Sequence, residues 1–205
     1  MLTVFDMDGV LIEERSSWRL LHRVFGTDNS NVVKKYREGK IDDLQFLNED
    51  IRIWRERGVR ERDIKTALED VPLTSGIREC MDFFGSRGRV AIISGGIDTL
   101  AERIARYGVD YVFANGIEYR NGIPWKRILR VPIRNKESIL KKLMEEMKLK
   151  KEDIVVVGDN VHDAGMMDMA GVAIAFNPKE GSGIEKHADF VVKRRDLKEL
   201  IKIFE

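Results

Sequence analysis

Cysteine is almost absent from this chain of 205 residues: Cys80 stands alone, which excludes an intramolecular disulfide framework and any multi-cysteine metal centre. Long apolar runs are missing too. No stretch approaches the roughly 18 consecutive apolar residues of a membrane-crossing helix. The opening MLTVFDMDG lacks the basic start and extended apolar region of a signal peptide, so the expectation is a cytoplasmic protein with no membrane partner. Neither sign of charge is in excess, with 36 Lys plus Arg against 35 Asp plus Glu and a net charge of +1. A nucleic-acid partner is not expected, because its footprint is clustered excess base. What is abundant is apolar residues, 43%, enough for a substantial core, and charge, 35%. The charged fraction exceeds the usual level of about 25% and predicts an ion-pair-rich surface, in keeping with a hot habitat. There is no internal repeat.

Short apolar runs alternate with amphipathic stretches. Leu2 to Phe5, Arg89 to Ile93, Ile154 to Val157, Val172 to Phe176 and Phe190 to Val192 read as strands, with a shorter candidate at Tyr111 to Phe113. Unbroken apolar runs suit parallel strands covered on both faces. Helical patterns fall at Ile77 to Gly85, Ile97 to Tyr107, Glu137 to Met147, Ala164 to Ala170 and Leu197 to Phe204. This alternation predicts a doubly wound, parallel α/β sheet. Residues 13–71 interrupt it with four helical patterns, Ser17 to Phe25, Asn31 to Glu38, Leu44 to Glu56 and Glu61 to Leu68, and no strand. The division expected is a core of residues 1–12 and 72–205 with a helical cap, 13–71, inserted after the first strand. Asn121-Gly122, between apolar positions, signals a β-hairpin, and the basic stretch 126–135 reads as a solvated connection.

Four places carry chemistry. The first strand ends in Asp6-Met7-Asp8-Gly9, and ligands of open parallel sheets bind beyond the carboxyl ends of the strands. Two acids there are costly without a positive partner, and a divalent cation such as Mg²⁺ takes carboxylates together with substrate phosphate. The alternative is a turn with two solvated acids. A second strand ends in Gly158-Asp159, with Asp163 four residues on, either converging on the same site or capping a helix. Four converging carboxylates would repel one another strongly without a cation. Ser94-Gly95-Gly96 joins a strand to the helix expected near Ile97, giving a hydroxyl, free N–H groups and a helix N-terminus for an anion. Lys136 follows Asn135, a candidate N-cap. A cation in a first helical turn opposes the helix dipole by about 0.3–1 kcal/mol, and such local conflicts tend to mark functional sites.

Taken in order, these pieces resemble the haloacid dehalogenase superfamily, and within it the phosphoserine phosphatase-like branch. Asp6-x-Asp8-Gly9, Ser94, Lys136 and Gly158-Asp159 with Asp163 look like its four motifs; AIISGGIDTLAERIARYGVDYVFANGI and GDNVHDAGMMDMAGVAIAFNP are similar to the branch in style. The resemblance implies a Rossmann-like core with a small helical cap, and a phosphatase acting on a small phosphorylated substrate. It makes Asp6 the nucleophile that forms an aspartyl-phosphate and Asp8 the general acid and base. Ser94, Gly95 and Lys136 would bind phosphate. Mg²⁺ would sit on Asp6, Asp8 through its main-chain carbonyl, Asp159 and Asp163, the last as ligand or just behind one.

The chain also departs from that branch. Asn160 and His162 stand where its fourth motif has Gly and Asn, so His162 either faces the site as a donor or is a loop residue; His22 and His187 read as incidental. The branch's cap acid falls on Arg15 and its cap arginine on Asp50, with Arg52 two residues away, so the cap charges are swapped unless the register shifts. Trp18, Phe46 and Trp54 are either cap core or the lining of a pocket for a more apolar substrate. The resemblance leaves open phosphoserine hydrolysis proper and phosphotransfer within the same fold. A receiver-like phospho-accepting module is a different class, shorter and without a cap. The oligomeric state is not legible.

Overall fold

A computed structural model describes all 205 residues. In chain order the elements are β1 (Leu2–Phe5), α1 (Ser17–Val24), α2 (Ser30–Arg37), α3 (Asp43–Glu56), α4 (Glu61–Glu69), α5 (Ile77–Arg87), β2 (Arg89–Ile97), α6 (Asp98–Ala105), β3 (Tyr111–Arg120), β4 (Ile123–Ile128), α7 (Glu137–Met147), β5 (Ile154–Gly158), α8 (Ala164–Asp168), β6 (Val172–Phe176), β7 (Phe190–Val192) and α9 (Lys198–Ile201). One seven-stranded sheet carries them in the order β4-β3-β2-β1-β5-β6-β7. All neighbours are parallel except the β3–β4 hairpin. This is the expected doubly wound α/β core.

Side-chain alternation along β1 divides the interior. Leu2 and Val4 join one apolar cluster with Ile93, Val156, Leu140 of α7 and Met166 of α8. Phe5 points to the other face, into a larger cluster with Phe84 of α5 and Leu100 of α6. That second cluster runs on without a break through Leu11 into Trp18, Leu47 and Trp54 of the helices that follow β1. A covered strand needs apolar residues on both faces, which is why β1 shows no polar alternation. The chain leaves the sheet at Asp6 and re-enters it at β2, and an isolated bridge between Ile12 and Leu73 ties together the two ends of the segment that carries α1 to α4.

Several boundaries differ from those read in the sequence. β2 continues through Ser94-Gly95-Gly96 to Ile97, and α6 begins only at Asp98, so the glycines lie on a strand end and not in a helix's first turn. β3 is far longer than Tyr111 to Phe113 because it runs on into the hairpin, whose Asn121 and Gly122 both take positive φ, +50° and +70°, as a two-residue type I′ turn demands. The stretch 126–135 is not a solvated connection. Its first residues belong to β4, Val131 is fully buried, and Ile133 and Arg134 line the cavity that also holds Asp6 and Ser94. Asn115 holds it: its side-chain oxygen accepts from the Arg130 and Val131 amides at 2.9 Å each, and its amide donates to the Val131 carbonyl. Asn135 does not cap α7; Lys136 occupies the cap position in helical conformation.

Candidate active site

The carboxyl ends of β1, β2 and β5 are adjacent in the sheet, and they gather the acids, the serine and the lysine at one point. Asp6, Asp8, Ser94, Lys136, Asp159 and Asp163 are all buried. The Lys136 ammonium lies 3.0 Å from Asp6 Oδ2 and 2.8 Å from Asp163 Oδ1. Its aliphatic stem reaches inward from the start of α7, which explains a cation at the wrong end of a helix dipole. Asp6 Oδ1 accepts from the Met7 amide at 2.7 Å. Asp8 is turned away from Lys136 and toward α1: its Oδ2 accepts from the amide and the hydroxyl of Ser17, at 2.8 and 3.0 Å, while its Oδ1 has no partner.

Asp6, Asp159 and Asp163 each offer an oxygen to a group whose members lie within 4.8 Å of one another. Asp163 is already engaged on both sides: Oδ1 by Lys136, Oδ2 by the amides of Asp159 and Asn160 at 3.1 and 3.3 Å. Arg15 donates to Asp159 Oδ2 at 2.6 Å and to the Asn177 carbonyl at 3.0 Å. Four acids therefore face two cations. The imbalance is visible in proton affinity. Burial, then the neighbouring Asp6, push Asp8 up to about 7. Burial, then Asp6 and Asp163, push Asp159 up to about 7. Asp6 is raised by burial and by Asp163, against the pull of Lys136. Burial works against the charge on Lys136, but Asp163 and Asp6 outweigh it, and its pKa is raised.

Two glycines make this packing possible. Gly9 has φ +84°, and a Cβ on it would lie 2.3 Å from Asp159 Oδ2. At Gly96 a Cβ would lie 2.4 Å from Met7 Cε and 2.9 Å from both Asp8 oxygens. The serine strand thus comes against the aspartate strand at a distance only glycine allows. The Ser94 hydroxyl accepts from the Gly96 amide at 3.2 Å, and the Gly95 carbonyl is pinned by Trp18 Nε1 and Asn115 Nδ2, at 3.0 and 3.2 Å.

The family pattern of haloacid dehalogenase-like hydrolases matches residues 1–171. The chain belongs to this family. A phosphoserine phosphatase of Archaeoglobus fulgidus is 30% identical over 184 residues, 87% of this chain and 53% of that one, so the chain spans about half the length of that relative. One from Methanocaldococcus jannaschii is 28% identical over 207 residues, 98% of this chain and 96% of that one. Among solved structures, a substrate-bound phosphoserine phosphatase complex superposes with a TM-score of 0.83 at 27% identity, over 98% of this chain and 97% of that one. A phospho-aspartyl intermediate analogue of phosphoserine phosphatase matches with the same TM-score and coverage at 28% identity.

In this hydrolase the cluster of acids, serine and lysine forms the floor of a cavity of about 620 Å³ whose roof is α1, α2 and α3. Trp18 and Phe46 line it, as do Arg15, Asp50 and, at the rim, the exposed His162. Crowding by the surrounding chain and the charge of Lys136 lower the His162 pKa. Two expectations are corrected, those for Arg52 and His22, and Trp54 takes the core alternative. Arg52 is outside: it pairs with Glu49 and Glu56 on the exposed face of α3, because two residues along a helix turn a side chain some 200° from Asp50. Trp54 is fully buried and lines no cavity; it stacks on Trp18 with centroids 5.5 Å apart. His22 is not incidental, being buried beneath Asp50. Ser17, Asn115 and Arg134 escaped the sequence reading. Ser17 follows Ser16, the true N-cap of α1, and a serine pair at a helix start looks like capping alone.

Proposed function

We propose that this hydrolase is a Mg²⁺-dependent phosphomonoester hydrolase working through a phospho-aspartate on Asp6. The observation that carries the reading is the division of labour between two neighbouring acids: Asp6 faces Lys136 and the acid cluster, Asp8 faces away with a proton affinity near neutrality. The donor set suits a hard divalent cation, since Asp6 and Asp159 are oxygen ligands in a cluster short of positive charge. Asp6, the main-chain carbonyl of Asp8 and Asp159 would hold it, with Asp163 as a further ligand or just behind one. The cation would supply charge neutralisation at the phosphoryl oxygens.

Asp6 attacks phosphorus through a carboxylate oxygen, and the bond from phosphorus to the ester oxygen breaks. Asp8, whose pKa is pushed up to about 7 and which therefore holds its proton in about half the molecules at neutral pH, gives that proton to the departing oxygen. The Asp8 carboxylate then takes a proton from water as that water attacks the phosphoryl group, releasing Asp6 and inorganic phosphate. Lys136, the Ser94 hydroxyl and the N–H of Gly95 bind the phosphoryl oxygens, the positioning and neutralisation on which such transfers depend. Asp6→Asn is expected to lower Mg²⁺-dependent release of phosphate from an aryl phosphate at least 1000-fold, about 4 kcal/mol of barrier. Near wild-type turnover in that variant would remove Asp6 from the mechanism.

Phosphoserine as substrate is a second reading, favoured by the names of the relatives. Asp50 in the cavity wall, where the branch resemblance calls for an arginine, weighs against it.

A further inference from the structure

Asp50 is a fully buried carboxylate on α3, and its two oxygens are treated unequally. Oδ1 accepts from Asn29 Nδ2 at 2.9 Å and has His22 Nε2 3.2 Å away, too far off axis for a good hydrogen bond. On the other side of the ring, the Trp54 indole N–H reaches His22 Nδ1 at 3.3 Å and the Thr27 hydroxyl lies 2.7 Å from the same nitrogen. Asn29 therefore holds the carboxylate by one oxygen, with the His22 ring packed beside it. Oδ2 has no partner at all. A buried carboxylate oxygen left unpaired is costly, and Asp50 and Asn29 both lie in the wall of the cavity above the phosphoryl site.

Resting on the hydrolase reading above, we infer that Asp50 is the cap's specificity residue and that it reads a hydrogen-bond donor, an ammonium or a hydroxyl, on the organic part of the phosphomonoester. A terminal carboxylate placed there would meet a carboxylate and be rejected. Trp18, Phe46 and Leu47 are among the apolar residues that line the same cavity. They favour a short aliphatic or flat spacer between the phosphate and the donor. The fixed oxygen sets the direction in which the free one points, so the subsite is built before substrate arrives.

The test is a series of alkyl phosphates of two to four carbons ending in methyl, hydroxyl, ammonium or carboxylate, assayed with Mg²⁺. At the chain length that reaches Asp50, the hydroxyl or ammonium ester is expected to exceed the methyl ester at least tenfold in kcat/KM, with the carboxylate ester below both. Which of the two donors leads identifies an alcohol or an amine substrate. Asp50→Asn should reduce the ratio of the donor-terminated to the methyl-terminated ester at least tenfold. Should that variant not fold, the wild-type series still decides. Methyl or carboxylate esters leading at every length, or an unchanged ratio in Asp50→Asn, would overturn the assignment. If wild-type protein hydrolyses none of the esters, nor an aryl phosphate, the hydrolase reading itself fails and takes this inference with it.

Discussion

Two hydrogen bonds from Ser17 reach one oxygen of Asp8 and leave the other free. Both favour the ionised form and so oppose the burial that lifts Asp8 to about 7. Removing the hydroxyl with Ser17→Ala takes away one of them, and the Asp8 pKa should rise by roughly one unit, the worth of a hydrogen bond to a charged group. In the mechanism proposed above, ester cleavage needs Asp8 protonated, so the alkaline limb of kcat/KM should move to higher pH in the variant. A pH profile measured on an aryl phosphate checks this, and an unmoved limb would leave Ser17 a purely structural helix residue. At this scale the sequence was most legible where a residue type offended its local surroundings. Lys136 at a helix start and acids at strand ends signal a site because each is expensive alone. Ser17, Asn115 and His22 gave no such signal, for each is ordinary where it sits along the chain and becomes special only through partners 9, 16 and 28 residues away, or thereabouts, in the fold.

Among the elements, α1 and α3 are joined through Trp54, which stacks on Trp18, meets Phe25 edge-on and donates to His22. Trp54→Ala is expected to cost about 3–5 kcal/mol, the range for removing a large buried aromatic, as measured by denaturant unfolding. A cost below about 1 kcal/mol would mean that the cap helices collapse around the gap. Periodicity located every helix of 13–71 to within a residue or two, since each buries one stripe. It could not say which aromatic of the stripe faces the cavity, because Trp18, Phe46 and Trp54 share one apolar pattern and only helix packing separates them. The end of β2 was misjudged for a related reason. Ser-Gly-Gly carries no strand propensity of its own, and it is held extended by β3, whose Asn115 pairs beside Ile97.

For the molecule as a whole, the crowding of acids makes stability depend on pH in an unusual direction. Buried Asp8 and Asp159 hold their protons up to about 7, against an ordinary 3.8. Between those values the folded chain binds more protons than the unfolded one, so stability falls as pH rises. Metal-free protein in a chelator should therefore melt several degrees higher at pH 5 than at pH 7.5, a difference of a few kcal/mol. Excess Mg²⁺ at pH 7.5 should recover most of the loss by binding the ionised acids. Calorimetry decides, and a melting point that rises from pH 5 to 7.5 without metal would contradict the clustering of these carboxyls.

The hairpin bears on how the cavity is entered. Helices α1 to α4 join the sheet through two neighbouring chain segments, near Ile12 and Leu73. A body attached at two neighbouring points can swing about the line between them. This one has a third attachment: Gly122 accepts from the Glu61 amide, the Arg55 guanidinium lies over Trp125 and donates to its carbonyl, and Asn48 accepts from the Arg127 amide. β4 stands at the edge of the sheet, three strands from β1, where the chain enters this body, so the third attachment lies to one side of the other two. Three points out of line define a plane and leave no axis of rotation. The roof cannot swing as one body while the hairpin grips it, and any hinging would first have to release the contacts of Glu61, Arg55 and Asn48 with the hairpin.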